Sequence, residues 1–145
     1  MMTRTFIALT AVALTMAGGL TTAQAGGSSV SIEQYGVGNG IGGAQKGSRN
    51  RLTVYQNGRS NTAISNQYGA RNLVVIGQQG RRNKADTFQA GRGNIAGVAQ
   101  FGSGHTVVTT QDGSGNAVGV IQAGRNNKTS TKQVGSGNVA VIVQD

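Results

Sequence analysis

These 145 residues contain no cysteine and no proline. Without cysteine, neither a disulfide nor a thiolate metal site can be built. Without proline, nothing in the chain guards an exposed sheet edge by that common device. Aromatic residues make up 4%, too few for an aromatic-rich core. Charged residues make up only 12%, and acids are scarcest: four Asp and Glu against thirteen Lys and Arg, a net charge of +9. With a single histidine as well, the chain has little from which to build acid–base chemistry. Glycine, by contrast, occurs 25 times. Low charge with frequent Gln, Asn, Gly and Ser is a composition that disordered chains share. A strict internal period and recurring β-branched residues argue against disorder here.

The period is eleven residues and has the form Q-x-G-x-x-N plus five. Glutamine returns at Gln34, Gln45, Gln56, Gln67, Gln78, Gln89, Gln100, Gln111, Gln122, Gln133 and Gln144. Glycine follows two places later, at Gly36, Gly47, Gly58, Gly69, Gly80, Gly91, Gly102, Gly113, Gly124 and Gly135. Asparagine follows five places after the glutamine, at Asn39, Asn50, Asn61, Asn72, Asn83, Asn94, Asn116, Asn127 and Asn138, with His105 in its place once. A period this regular sets the architecture before any local motif does.

Residues 1–25 stand outside it. Arg4 supplies a positive start, Phe6 to Leu14 an apolar run, and Ala23-Gln24-Ala25 an A-x-A cleavage site before Gly26. This pattern predicts a secretory signal peptide. The run is shorter than the ~20 residues a membrane span needs. Residues 26–145 are expected to form one domain.

An eleven-residue period can also mark a helical supercoil, but Gly-x-x-Asn in the middle of every unit breaks helices. The stretches between Asn and Gln alternate instead. In Asn50–Gln56, Leu52 and Val54 fall on one side and Arg51, Thr53 and Tyr55 on the other, the pattern of a half-buried strand. Each unit therefore reads as a strand from Asn to Gln followed by a four-residue turn, with glycine where positive φ or close approach is required. Two units make a 22-residue strand-turn-strand rung. Stacked rungs give an all-β fold, a β-solenoid with two parallel sheets about 10 Å apart, and an amyloid-like cross-β structure on assembly.

Charge placement fixes the register. Counted from each Asn, the second and fourth residues should face inward, and none of them is charged. Strand charges (Glu33, Arg51, Lys84, Asp86, Lys128, Lys132) fall at outward places; the others (Lys46, Arg49, Arg59, Arg71, Arg81, Arg82, Arg92, Asp112, Arg125) fall in the expected turns or at Asp145. A slip of one residue would bury charge. The Gln and Asn at the strand ends also face inward. An unpaired buried amide costs about 1–3 kcal/mol, but in a stack each amide can donate to one neighbour and accept from the other, as in cross-β ladders. The glutamine and asparagine columns, with His105 in the latter, are thus the expected assembly ladder.

The stretch Ser28-x5-Gln34-x-Gly36-x2-Asn39-x-Ile41-x3-Gln45 resembles the curlin repeat, S-x5-Q-x-G-x2-N-x-A-x3-Q, with Ile41 at the usual Ala and Asn50, Asn72, Asn94 and Asn116 opening later rungs in place of Ser. The resemblance covers residues 28–144. It implies a subunit, major or minor (nucleator), of curli: extracellular amyloid fibres of the pilus or fimbrium type that serve bacterial adhesion and the biofilm matrix. It further implies export through an outer-membrane secretion pore, a second curlin subunit as partner, and polymerisation at the cell surface.

The residues point the same way. The last strand, Asn138–Gln144, is the most apolar, and both ends of the ladder are expected to add further chains by templated strand addition. The two outer faces are unequal, one apolar (Leu73, Val75, Ile95, Ile121, Val141) and one polar (Thr62, Lys84, Asp86, Lys128); an apolar face of this extent is expected to be an interaction surface. The Arg-rich turns fit salt-dependent contact with lipopolysaccharide, extracellular DNA or acidic polysaccharide. No cofactor, metal or small-molecule substrate is expected, and no enzyme: Glu33 and Asp86 lie on different sheets, and no nucleophile and base gather around His105. His105 reads as a ladder substitution that would make assembly mildly pH-sensitive. Gly91-Arg92-Gly93 and Gly36-Val37-Gly38 lack the following helix of a phosphate loop. The alternative is a soluble monomeric β-solenoid that binds ice or a glycan, but the threonines form no continuous outward rank.

Overall fold

A computed structural model describes residues 26–145; the expected signal peptide lies outside the described residues. Eleven strands follow one another: β1 (Ser29–Val37), β2 (Gly40–Ser48), β3 (Arg51–Arg59), β4 (Thr62–Ala70), β5 (Leu73–Arg81), β6 (Lys84–Arg92), β7 (Ile95–Ser103), β8 (Thr106–Ser114), β9 (Ala117–Arg125), β10 (Lys128–Ser136) and β11 (Val139–Gln144). The odd strands form a six-stranded sheet in the order β1-β3-β5-β7-β9-β11, and the even strands a five-stranded sheet in the order β2-β4-β6-β8-β10. Every pairing is parallel and joins residues 22 apart, so Gln34 lies beside Gln56, Gly36 beside Gly58, and Leu52 beside Val74. The chain is a β-solenoid of about five turns.

The expected inward columns are the core. Leu52, Val54, Val74, Ile76, Val98, Val118 and Val120 from the six-stranded sheet meet Ala63, Ala85 and Val107 from the five-stranded one, all 5% exposed or less. The alternation is sharp: Val74 is 0% exposed and its neighbour Val75 is 43% exposed. Parallel strands buried on one face leave the other to solvent, and period two does the sorting.

The strands are longer than the sequence pattern suggests. The turn was expected to take the four residues between Gln and Asn, but each full strand runs nine residues, through Gln and Gly, and only two residues break it, such as Ser60-Asn61 after β3. The expected turn charges Lys46, Arg59, Arg81, Arg92, Asp112 and Arg125 are therefore in strand ends, and only Arg49, Arg71 and Arg82 sit in the breaks. The reason is the stacking. In a parallel in-register stack each residue lies beside a residue of the same conformation, so a bent backbone can still pair with its copy. Even the breaks continue the ladder: Ser60 N–H donates to the Val37 carbonyl at 2.9 Å and Arg51 N–H to the Asn72 carbonyl at 2.8 Å.

Candidate functional site

Each bend is built on glycine. Gly58 has φ of +135° and Gly80 of +118°, a region that L side chains rarely adopt. Sterics add a second constraint, since a Cβ on Gly58 would fall on the carbonyl oxygen of Gly80, and one on Gly80 on that of Gly102. The column therefore admits only glycine while a further rung lies beneath it.

The asparagines lock these bends. Asn61 Nδ2 donates to the Gly80 carbonyl one rung on at 3.0 Å, and Asn61 Oδ1 accepts the backbone N–H of Asn83 at 3.1 Å. The same pair of bonds repeats at Asn50, Asn72 and Asn94. The glutamines run as a continuous chain of amides. In the six-stranded sheet Gln34, Gln56, Gln78, Gln100, Gln122 and Gln144 are linked Nε2 to Oε1 at 2.7–3.1 Å. In the other, Gln45, Gln67, Gln89, Gln111 and Gln133 are linked likewise. The second Nε2 proton crosses between the sheets, for example from Gln78 to the Thr62 carbonyl at 3.0 Å. Gln56, Gln78 and Asn61 are 0% exposed, and these bonds meet the cost of burying them.

His105 occupies the asparagine place and is also fully buried. Its Nδ1 accepts the Asn127 N–H at 3.2 Å, and its Nε2 faces the Phe101 carbonyl at 3.1 Å. The neighbours thus assign the proton to Nε2. The ring reproduces the asparagine acceptor and one of its two donors. The Gly124 carbonyl, whose counterparts in other rungs take an asparagine Nδ2, receives nothing from it.

Two features were not read from the sequence. The residue before each asparagine is left-handed throughout, including Arg49, Ser60, Arg71, Arg82 and Asn126 at φ of 57–59°. Glycine at Gly38, Gly93, Gly104, Gly115 and Gly137 was the available clue. The inward residue before each glutamine also differs by sheet: it is aliphatic in one and Gly43, Ser65, Thr87, Thr109 or Thr131 in the other. The hydroxyls of Ser65, Thr109 and Thr131 have no hydrogen-bond partner.

Outside the core, an open groove follows the bends near the ends of the odd strands, with Gly36, Gly58, Gly80, Gly102 and Gly124 along it and Arg59, Arg81 and Arg125 on its side. Among the described residues no three His, Asp or Glu gather as metal ligands would.

Among the described residues the ladder is open at both ends of the stack. β1 and β2 pair only with β3 and β4, and β10 and β11 only with β8 and β9. Val30 and Ile32, which would be core in an interior rung, are 55% and 49% exposed.

No curated protein matches the chain. No solved structure matches it either. The family model of the curlin associated repeat matches residues 47–80 and again 80–113, the stretches that hold β3 to β8. Its matches, the 22-residue rungs and the paired Gln and Asn columns agree: over residues 47–113 the chain is built of curlin associated repeats.

Proposed function

We propose that the chain is a secreted structural subunit that polymerises outside the cell into curli-like amyloid fibres, used for adhesion and the biofilm matrix. One observation carries the reading: the outermost rungs present unpaired strand edges with the same Gln, Asn and inward apolar columns as the interior. An incoming unfolded chain can lay its strand on such an edge, gain a full set of backbone bonds, extend each amide column, and cover the exposed apolar pair. Its own edge then offers the same template. Such an edge on a soluble protein is ordinarily blocked by charge, proline or a covering segment; among the described residues none of these covers Val30 and Ile32. The curlin repeat supports the fibre role, and the pattern in residues 1–25 supports export. The assembly site is then the Gln and Asn columns with the glycine bends, not a pocket. An outer-membrane pore and a second curlin subunit are the partners this role implies. The groove beside Arg59, Arg81 and Arg125 suits non-specific contact with acidic polysaccharide, lipopolysaccharide or extracellular DNA.

The test is seeded growth. Purified chain freed of residues 1–25 should form thioflavin-positive fibres after a lag, and fragments of those fibres should remove the lag. Fibres that fail to seed fresh chain would count against templated addition.

A further inference from the structure

The two sheets do not finish level. With six strands in one and five in the other, the rung that holds β11 is half a rung: among the described residues no strand lies opposite it beside β10. Ala140 and Ile142 project inward there and are only partly buried, whereas Val118 and Val120 one rung back are 4% and 1% exposed. The missing half is the shape of one more strand in the five-stranded sheet.

We propose that β1 of a second copy of this chain fills it, parallel beside β10, with β2 of that copy beside β11, so that successive copies exchange sheets. This rests on the self-assembly proposed above and adds how the copies join. The columns continue without a break. Gln133 Nε2 already donates to the Ala117 carbonyl at 3.0 Å, and its second proton meets Gln34 of the incoming copy as it would meet a glutamine in any interior rung. Asn127 Oδ1 takes the backbone N–H of Ser28, and Asn138 Oδ1 that of Asn39, in the pattern of the interior asparagines.

Charge decides between this joint and the simpler one that keeps like sheets together. In the exchanged joint Glu33 lies at the column position beside Lys132, and Lys46 at the position beside Asp145. Both are outward opposite-charge neighbours of the kind that stabilises adjacent strands. In the like-to-like joint β1 sits beside β11, so Glu33 meets Val143 and Tyr35 meets Asp145, and neither charge is paired. That joint also leaves β10 and the next β2 two strand spacings apart, about 9.6 Å, too far for any ladder hydrogen bond. A consequence follows for the fibre. Each copy is turned half a revolution from the last, so the apolar outer face of one is followed by the charged outer face of the next, and the true repeat is two copies, about 53 Å.

The chain's lack of cysteine allows a direct test. Ser31 and Ser130 are exposed, occupy the same outward column position, and become adjacent strand neighbours between copies only in the exchanged joint. Ser31 and Val141 become neighbours only in the like-to-like joint. Within one copy Ser31 and Val141 stand five strand spacings apart, about 24 Å, and Ser31 and Ser130 lie on opposite outer faces, so any disulfide joins two copies. Fibres of Ser31→Cys/Ser130→Cys, grown reduced and then oxidised, should yield a ladder of covalent multimers on denaturing gels, and fibres of Ser31→Cys/Val141→Cys should stay monomeric on such gels. The reverse result, or fibres that cross-link with neither pair, overturns the exchanged joint. Ser29→Cys with Lys128→Cys, against Ser29→Cys with Val139→Cys, repeats the comparison should a first variant not fold. Absence of fibres from the unsubstituted chain would instead remove the self-assembly reading itself.

Discussion

The six-stranded and five-stranded sheets share one repeat and differ in much of what lies between its landmarks. Both keep Gln, Gly and Asn at the same places, His105 being the one exception. Inside, the six-stranded sheet offers Val54, Ile76, Val98 and Val120 beside the glutamines, while the other offers Ser65, Thr87, Thr109 and Thr131. Outside, the first presents Leu73, Val75, Ile95, Ile121 and Val141; the second carries Lys84, Asp86, Lys128 and Lys132. The eleven-residue landmarks build the bends and the amide columns, which every corner needs. The 22-residue variation divides the rest: the inward places beside the glutamines hold large aliphatic side chains on one wall and Gly, Ser or Thr on the other. Orphan hydroxyls at Ser65, Thr109 and Thr131 show that this second wall is set by size more than by polarity.

Substitutions can break or sharpen that contrast. The largest effect belongs to a charge placed on either inner wall. Val74→Lys and Ala85→Lys each bury an unpaired ammonium beside positions that are 0% exposed, and each should abolish fibre formation in a thioflavin assay. Next come truncations, where the walls should separate. Ile76→Ala should destabilise by about 3 kcal/mol through the cavity it leaves, and Thr87→Ala, which loses one 3.3 Å bond to the Ile64 carbonyl, by about 1 kcal/mol. Guanidinium chloride dissolution midpoints compare the two; equal shifts would mean that the walls carry equal weight. Thr109→Val should act in the other direction, raising stability by about 1 kcal/mol, because it removes an unpartnered hydroxyl at nearly constant volume. His105→Asn should also stabilise, by about 1 kcal/mol or less, by supplying the Gly124 carbonyl with the donor that other rungs have. The smallest effect on stability, within about 0.5 kcal/mol, should come from Val75→Lys with Val141→Lys on the outer face. There the readout is bundle width in negative-stain images, which should fall while elongation continues. Equal damage from Val74→Lys and Val75→Lys would contradict the inside–outside assignment.

The period, the parallel rungs and the inner columns were legible because each leaves a mark at a fixed spacing. Leu52 and Val54 between Arg51, Thr53 and Tyr55 set one strand's register, and the column of glutamines set the stack. The bends were less legible. A glycine between polar residues ordinarily closes a turn, so Gly58 suggested an end to β3; that the strand passes through it depends on a neighbouring rung with an identical bend, which is a property of the stack and not of the segment. Left-handed Arg49, Arg71 and Arg82 were hidden for a similar reason, since arginine carries no backbone preference for that region, and bonds such as Arg82 N–H to the Arg59 carbonyl at 3.0 Å hold it there. Unequal inner walls were present in the sequence, but alternate repeats have to be assigned to opposite sheets before Ser65 and Val54 stand in different columns.

X-ray diffraction from aligned fibres of the purified chain tests the central claim most directly. Templated stacking of these rungs predicts a meridional reflection near 4.8 Å from strands perpendicular to the fibre axis, and an equatorial one near 10 Å from the two facing sheets. A chain that remains monomeric for days at neutral pH, or fibres whose 4.8 Å reflection lies off the axis, would contradict it.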